Sequence, residues 1–139
     1  TLDIEPFSVA DREPWFHQFA EEGPYRLYVA EVGGTVAGYA SSVPVKDKPG
    51  YASSVETSVY VDSDLTGQGI GGELYHTLLT ALRAEPSVHR AYGVIGAPNR
   101  ASIALHEQLG FVHVGTLHEA GRKFDEYWDV VWYEKELGS

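Results

Sequence analysis

The chain is 139 residues long, which suits one compact domain and is too short for two domains with separate cores. Hydrophobic residues make up 43% of it, too much for a disordered chain, and a formal charge of −10 disfavours binding to nucleic acid or to an anionic membrane. The absence of cysteine excludes disulfides, a thiolate nucleophile and a Cys-ligated metal.

The first predicted elements are a helix and two strands. Residues 11–22 carry Trp15, Phe16 and Phe19 at helical spacing, which predicts a short amphipathic helix ending before Gly23. Residues 26–32 and 35–43 are rich in Val, Tyr and Ala and flank two consecutive glycines, a pair typical of a hairpin turn. The two segments therefore predict an antiparallel pair.

The rest of the chain alternates strands with helices. Residues 54–61 alternate as a strand does, with Glu56 on the face opposite Val55 and Val59. A glycine-rich turn over 66–72 then leads into a helix over 72–85. Further along, the pattern predicts a strand over 90–95, a helix over 99–108, and strands over 111–117 and 127–137. We therefore predict a single α/β (α+β) domain, residues 1–139, built around one sheet.

The glycine-rich turn predicts a phosphate-binding site. It joins a strand to a helix, where successive backbone N–H groups and the helix dipole can hold phosphate oxygens. Gly67, Gly69 and Gly72 also have the spacing of a dinucleotide fingerprint, although the turn does not open a βαβ unit as that fingerprint requires. A connection that binds nothing is the remaining alternative.

Two segments together resemble the GCN5-related N-acetyltransferase (GNAT) superfamily. The first runs from Val59 through the glycine-rich turn to Leu74, and the second from Asn99 to Phe111. Within the superfamily, residues 55–61, 104–107, 121–124 and 128–130 resemble the phosphinothricin and methionine sulfoximine acetyltransferases. The resemblance implies a GNAT fold with a mixed, mostly antiparallel central sheet flanked by helices. It also implies acetyl transfer from acetyl-CoA to the amine of a small amino-acid-like molecule.

The resemblance assigns the binding of coenzyme A to the two motifs. Relatives usually have Arg or Gln at the first position of the glycine motif, where this chain has Thr66, so backbone N–H groups are expected to carry more of the pyrophosphate binding. Asn99 matches an asparagine that contacts the pantetheine arm, although it is also a good helix N-cap. The expected contacts with coenzyme A are Val59, Tyr60, Val61, Thr66, Gly67, Gln68, Gly69, Ile70, Gly71, Gly72, Asn99 and Ser102.

Two side chains are candidates for the chemistry of acyl transfer. Glu56 lies in mid-strand among Val and Thr, where burial raises a carboxyl pKa, and the resemblance gives it the role of general base acting through water. His106 stands where many relatives carry a tyrosine that protonates the thiolate. The oxyanion donor implied by the resemblance is the backbone N–H of Tyr60 or Val61. A solvated Glu56 and a structural His106 remain the simpler alternatives.

The acceptor is expected to contact Tyr51, Arg122, Lys123 and Phe124. Arg122 and Lys123 are cations in an acidic chain and could hold the carboxylate of an amino acid. Some relatives place an acid-binding arginine where this chain has Ala52, which weakens the case for methionine sulfone or sulfoximine as the specific acceptor.

The remaining expectations concern length and assembly. Relatives begin with a strand and a helix ahead of Thr1, so we expect an N-terminally short form of the fold, and a homodimer by resemblance. We expect a cytoplasmic location and no metal. Two alternative functions remain open at this point: a coenzyme A-binding sensor and a protein or peptide N-acetyltransferase.

Overall fold

The computed structural model describes residues 17–138, which form one six-stranded sheet packed against two helices. The strand order is β1-β2-β3-β4-β6-β5, and every neighbouring pair is antiparallel except β3 with β4. The elements are β1 (Leu27–Val32), β2 (Thr35–Pro44), β3 (Ser54–Val61), α1 (Ile70–Arg83), β4 (Arg90–Ala97), α2 (Arg100–Gln108), β5 (Val112–Lys123) and β6 (Glu126–Glu136). The predicted fold class and all six predicted strands are confirmed.

Two predicted boundaries differ from the structure. The helix predicted over 11–22 begins outside the described residues, and residues 17–22 form turns and bends because the Ala20 N–H donates to the Tyr25 carbonyl instead of continuing a helix. Strand β5 extends six residues beyond the predicted end at Leu117, to Lys123. Its polar second half shows no alternation, and it is held instead by pairing with β6 across two register shifts.

The core lies on one face of the sheet, under α1. The predicted stripe of Leu74, Leu78 and Leu82 is buried there, and Tyr75 beside it is completely buried. These side chains pack against Val55 and other residues of the sheet, which include Ala40, Ala91, Ile95, Val131 and Tyr133. Burial of this apolar area is what fixes α1 against the sheet.

Strands β3 and β4 separate halfway along their length. Their parallel ladder runs from Ser54 with Arg90 to Thr57 with Gly93, and no pairing joins residues 58–61 to residues 94–97. The sheet is therefore split at this point, and the backbone groups that face the split have no partner strand within residues 17–138.

Two absences apply to residues 17–138. No helix in this part of the chain is long and apolar enough to cross a bilayer. No three His, Asp or Glu side chains within it come together as a metal-binding group.

Candidate active site

A cavity of about 780 Å³ opens at the split between β3 and β4. Both motifs singled out in the sequence contribute to its wall, although they lie about thirty residues apart in the chain. The lining residues are Tyr39, Thr57, Ser58, Val59, Tyr60, Val61, Leu65, Thr66, Gly67, Gly69, Ile70, Gly71, Gly72, Val94, Ile95, Gly96, Asn99, Ala101, Ser102, Leu105, His106 and Lys123. Residues from both faces of the sheet appear in this set, so the cavity follows the split through the sheet.

The glycine-rich turn forms one end of the cavity. Gly67 and Gly69 adopt φ angles of 83° and 79°, which favour glycine, and Gly69 is the N-cap of α1 without any side-chain capping bond. The first N–H groups of α1 are therefore free of a side-chain cap and can bind an anion. Thr66 donates its hydroxyl to the Ser63 carbonyl at 3.2 Å. This backbone cradle fits a pyrophosphate. Of the turn residues 66–72, all line the cavity except Gln68, which is exposed.

Asn99 lies at the cavity wall as the N-cap of α2. Its Oδ1 atom accepts a hydrogen bond from the Ser102 N–H at 3.1 Å, so the capping interpretation of the sequence is confirmed. Its amide N–H groups can still donate to a ligand in the cavity, which also touches Ser102. Contact with a pantetheine arm stays a prediction for both residues.

The pairing of β3 with β2 decides which backbone N–H groups face the split. The Asp62 N–H donates to the Ala37 carbonyl at 2.7 Å, and alternate residues of an antiparallel strand donate to the same neighbour. The N–H of Tyr60 therefore belongs to the β2 side, where Tyr60 pairs with Tyr39. Of Tyr60 and Val61, the two oxyanion donors considered from the sequence, only Val61 has its N–H on the side of the split. The N–H of Val59, which the sequence analysis did not name as a donor, lies on that side too.

Glu56 lies where the split closes, although its side chain is not part of the cavity wall. It pairs with Val43 of β2 and with Tyr92 of β4, one residue before the last pair of the parallel ladder. The side chain is half-buried, and burial raises the pKa of its carboxyl above the ordinary value, as the sequence predicted. A carboxylate with a raised pKa is a stronger base, which suits proton removal from an amine.

His106 is buried at the floor of the cavity, in a chain of side-chain hydrogen bonds. Its Nδ1 atom lies 2.7 Å from the Ser102 carbonyl, which can only accept, so Nδ1 carries the proton of the neutral ring. Nε2 then accepts from the Tyr75 hydroxyl at 2.9 Å, and Tyr75 Oη lies 2.6 Å from Thr57 Oγ1. Burial lowers the pKa of His106, which favours this neutral form.

Three residues of this network were missed in the sequence: Tyr75, Thr57 and Gly93. By pattern alone, Thr57 shares the strand face of Val55 and Val59, and Tyr75 lies beside the Leu stripe of its helix. Gly93 lies under the His106 ring, and a Cβ at that position would overlap with Nε2 of His106. A tyrosine within the Leu stripe of α1 was the one available signal, because a buried tyrosine needs a partner for its hydroxyl.

The predicted acceptor residues do not all reach the cavity. Lys123 lines it, whereas Tyr51, Arg122 and Phe124 are absent from its wall. Arg122 is instead bound within its own hairpin: it donates to the Tyr127 hydroxyl at 2.9 Å and lies 3.6 Å from an Asp125 carboxylate oxygen. Of the two predicted cations, only Lys123 lies at the cavity wall, and its contact with the acceptor stays a prediction.

Comparison with known proteins agrees with this geometry. The family model described as "Acetyltransferase (GNAT) family" matches residues 1–111. A phosphinothricin N-acetyltransferase of Streptomyces coelicolor is 52% identical, with 99% of this chain and 81% of that protein covered. An L-methionine sulfoximine/L-methionine sulfone acetyltransferase of Pseudomonas paraeruginosa is 35% identical, with 95% and 76% covered. The crystal structure of a GNAT superfamily phosphinothricin acetyltransferase from Sinorhizobium meliloti, in complex with acetyl-CoA, superimposes with a TM-score of 0.88 at 31% identity, covering 96% of this chain and 71% of that one.

Proposed function

Because the chain belongs to the GNAT acetyltransferase family and is an acetyl-CoA-dependent N-acetyltransferase, we propose that its acceptor is the amine of a small amino acid of the phosphinothricin or methionine sulfoximine type. The observation that carries the proposal is the position of Glu56, a half-buried carboxyl at the closed end of a split that begins one residue later. The two relatives support this acceptor class by what their names say they act on.

The cavity would supply binding regions for the pyrophosphate, the pantetheine arm and the thioester of acetyl-CoA. The N–H groups at the start of α1 and in the glycine-rich turn would hold the pyrophosphate. The unpaired edges of residues 58–61 and 94–97 would pair with the amide groups of the pantetheine arm, as a partner strand would. The thioester would then lie near Thr57 and Gly93, where the split closes, and next to Glu56.

Acyl transfer at this position needs no group beyond those near the closed end. The amine nitrogen attacks the thioester carbonyl, and Glu56 takes the amine proton through water. The backbone N–H of Val59, the nearer of the two N–H groups that face the split, stabilises the oxyanion until the C–S bond breaks. Glu56 takes one proton from the amine, and the leaving thiolate needs one proton. The reaction therefore balances without a separate acid.

This balance changes the role that we propose for His106. In the neutral ring Nε2 is an acceptor for Tyr75 and has no proton to give to the thiolate. Donation would first require the imidazolium form, which burial disfavours. We therefore propose that His106 positions Tyr75 and Thr57 at the closed end of the split, and that it does not protonate the thiolate.

Lys123 is the proposed partner for the carboxylate of the acceptor. It lines the cavity, and its ammonium lies 5.2 Å from the ring centroid of Phe124, which orients the side chain at the tip of the hairpin. An amine substrate that also carries a carboxylate would be selected by this cation over a simple alkylamine.

We also propose that the enzyme is a cytoplasmic homodimer. Strand β5 is an edge of the sheet and exposes Val112, Val114 and Leu117, whose relative exposures are 64%, 54% and 52%. An apolar edge strand of this kind is stabilised by pairing with another copy. Light scattering after gel filtration should give twice the mass of the chain, and a single-chain mass at micromolar concentration would contradict the dimer.

The proposed cytoplasmic location rests on composition. The absence of cysteine suits a reducing compartment.

The proposed acceptor class can be tested by thiol release from acetyl-CoA. The panel contains L-phosphinothricin, L-methionine sulfone, L-methionine, a polyamine and a basic peptide. We expect release that depends on an amine and is fastest with the amino acids. Faster release with the peptide or the polyamine would contradict the proposed class.

A further inference from the structure

One buried polar atom lacks a hydrogen bond. Among the side chains of residues 17–138, Trp132 Nε1 is closed off from solvent and has no hydrogen-bond partner. The indole N–H of Trp128, in contrast, donates to the Lys123 carbonyl at 3.1 Å. A tryptophan N–H can only donate, and buried donors without a partner are rare because each one loses its bond to water. Trp132 is thus an unused donor.

The register of the sheet places this donor on the face that carries Glu56. Trp132 pairs with Val94 of β4, and Glu56 pairs with Tyr92 of the same strand. Tyr92 and Val94 are two residues apart, so their side chains lie on the same face. The rings of Trp132 and Tyr92 are in contact, with centroids 6.4 Å apart. The neighbours of Trp132 on β6, Val131 and Tyr133, are buried in the core on the other face.

The spacing between Glu56 and Trp132 fits one small acceptor. The two residues are separated by a single strand, β4, and by two residues along it, so their Cα atoms lie roughly 12 Å apart. Val94, which pairs with Trp132, lines the cavity at the split. Glu56 and Trp132 lie outside the wall of that cavity, so an acceptor with its amine at Glu56 reaches the indole along this face only after side chains move locally.

We propose that Trp132 Nε1 is a specificity-determining donor that binds an oxygen on the side chain of the acceptor. The inference rests on the proposed function, in which Glu56 receives the amine and Lys123 the carboxylate. The remaining polar part of a phosphinothricin-like or sulfone-like amino acid is its side-chain oxygen, which needs a donor. A neutral donor suits this role, because it stays protonated at every pH at which the enzyme folds. Trp132 Nε1 is shielded from solvent in the absence of an acceptor, so binding includes a local movement of the side chains around it.

The test uses Trp132→Phe, which removes the N–H and keeps an aromatic ring. Initial rates are measured with three amines: L-methionine sulfone, L-methionine, which lacks the sulfone oxygens, and 3-(methylsulfonyl)propylamine, which lacks the carboxylate. We expect kcat/KM to fall about tenfold for the two sulfones and about twofold or less for methionine, because only the sulfones lose a hydrogen bond. The ratio between amines is measured in one variant, so a folding defect affects all three alike.

Two other outcomes would overturn the assignment. If kcat/KM falls for methionine and methionine sulfone but not for the propylamine, which lacks a carboxylate, Trp132 binds the carboxylate. An equal loss with all three amines, or no loss, would mean that the indole has a packing role only. Absence of turnover by the unsubstituted enzyme with every amine would contradict the proposed function itself, and is thereby distinguished from failure of the Trp132 assignment alone.

A second measurement does not depend on turnover. The indole N–H resonance of Trp132, identified by its absence in Trp132→Phe, is followed by NMR in the presence of coenzyme A. Methionine sulfone should shift it and methionine should not. A resonance that moves equally with both amino acids, or with neither while binding saturates, would show that the N–H does not bind the sulfone oxygen.

Discussion

Thr57 and Gly93 form the last pair of the parallel ladder between β3 and β4, and the cavity at the split begins at this pair. Thr57 Oγ1 lies 2.6 Å from Tyr75 Oη, and Gly93 lies under the His106 ring that accepts the Tyr75 hydrogen bond. One buried network therefore supports both strands where they separate. Because Glu56 directly precedes Thr57, the position of the proposed base depends on this network.

Gly93→Ala should distort the floor of the cavity. The added Cβ would lie 2.5 Å from Cδ2 of His106, so the ring has to move. We expect a loss of about 1–3 kcal/mol in the free energy of unfolding. Gly115→Ala is the matched control, since a Cβ there meets nothing within 4 Å. Urea denaturation of both variants gives the comparison, and equal stabilities would show that His106 is not packed against Gly93.

Tyr75→Phe should uncouple the same network without changing its packing. The substitution removes the hydroxyl between Thr57 and His106 and leaves the Nε2 acceptor of His106 buried without a donor, which costs about 1–3 kcal/mol. Tyr133→Phe is the control, because its hydroxyl makes a single 3.3 Å bond to Glu107.

The kinetics of Tyr75→Phe separate positioning by His106 from proton donation. If His106 only positions the closed end of the split, kcat should fall while the pH dependence of kcat keeps its shape. A change in the alkaline limb of the profile would instead support His106 as the acid for the thiolate.

The sequence predicted the six strands and the two helices of the described region, because each depends on local pattern. Alternation in residues 54–61 and the Leu stripe of α1 define their elements without reference to the rest of the fold. The raised pKa of Glu56 could be predicted in the same way, since its apolar neighbours in the chain already indicate burial.

The network beneath the cavity could not be predicted, because its members meet only after folding. Thr57, Tyr75 and His106 come from three different elements, and no pattern in the chain relates them. Arg122 and Lys123 are likewise equivalent in the sequence. Their difference follows from the β5–β6 hairpin, which binds Arg122 to Asp125 and Tyr127 and leaves Lys123 at the cavity wall.

Lys123→Gln should weaken recognition of the carboxylate. We expect KM for an amino acid acceptor to rise about tenfold, since one charge-assisted contact is lost, while KM for the matching decarboxylated amine stays within about twofold. Arg122→Gln removes one positive charge in the same way, but Arg122 lies outside the cavity wall. This variant should leave both KM values nearly unchanged. A larger effect from Arg122→Gln would reverse the assignment of the two cations.

Glu56→Gln should stabilise the fold at neutral pH. Burial raises the folded-state pKa of Glu56, so the unsubstituted chain loses stability as pH rises through that value and its carboxyl becomes charged. Glutamine is neutral throughout, and the variant should therefore have the higher melting temperature at pH 7. The difference should vanish near the ordinary pKa of a glutamate, about 4.3. Equal melting temperatures at both pH values would mean that Glu56 is solvated.

The most direct test of the central claim is the turnover of Glu56→Gln with an amino acid acceptor, measured beside its affinity for coenzyme A. General-base catalysis by Glu56 predicts that kcat falls on the order of 10²–10⁴-fold, with the Kd for coenzyme A unchanged. The remaining activity should lose the acid limb that the raised pKa of Glu56 gives to the unsubstituted enzyme. A variant that retains at least a third of the original kcat, with the same pH profile, would show that the amine loses its proton to another group.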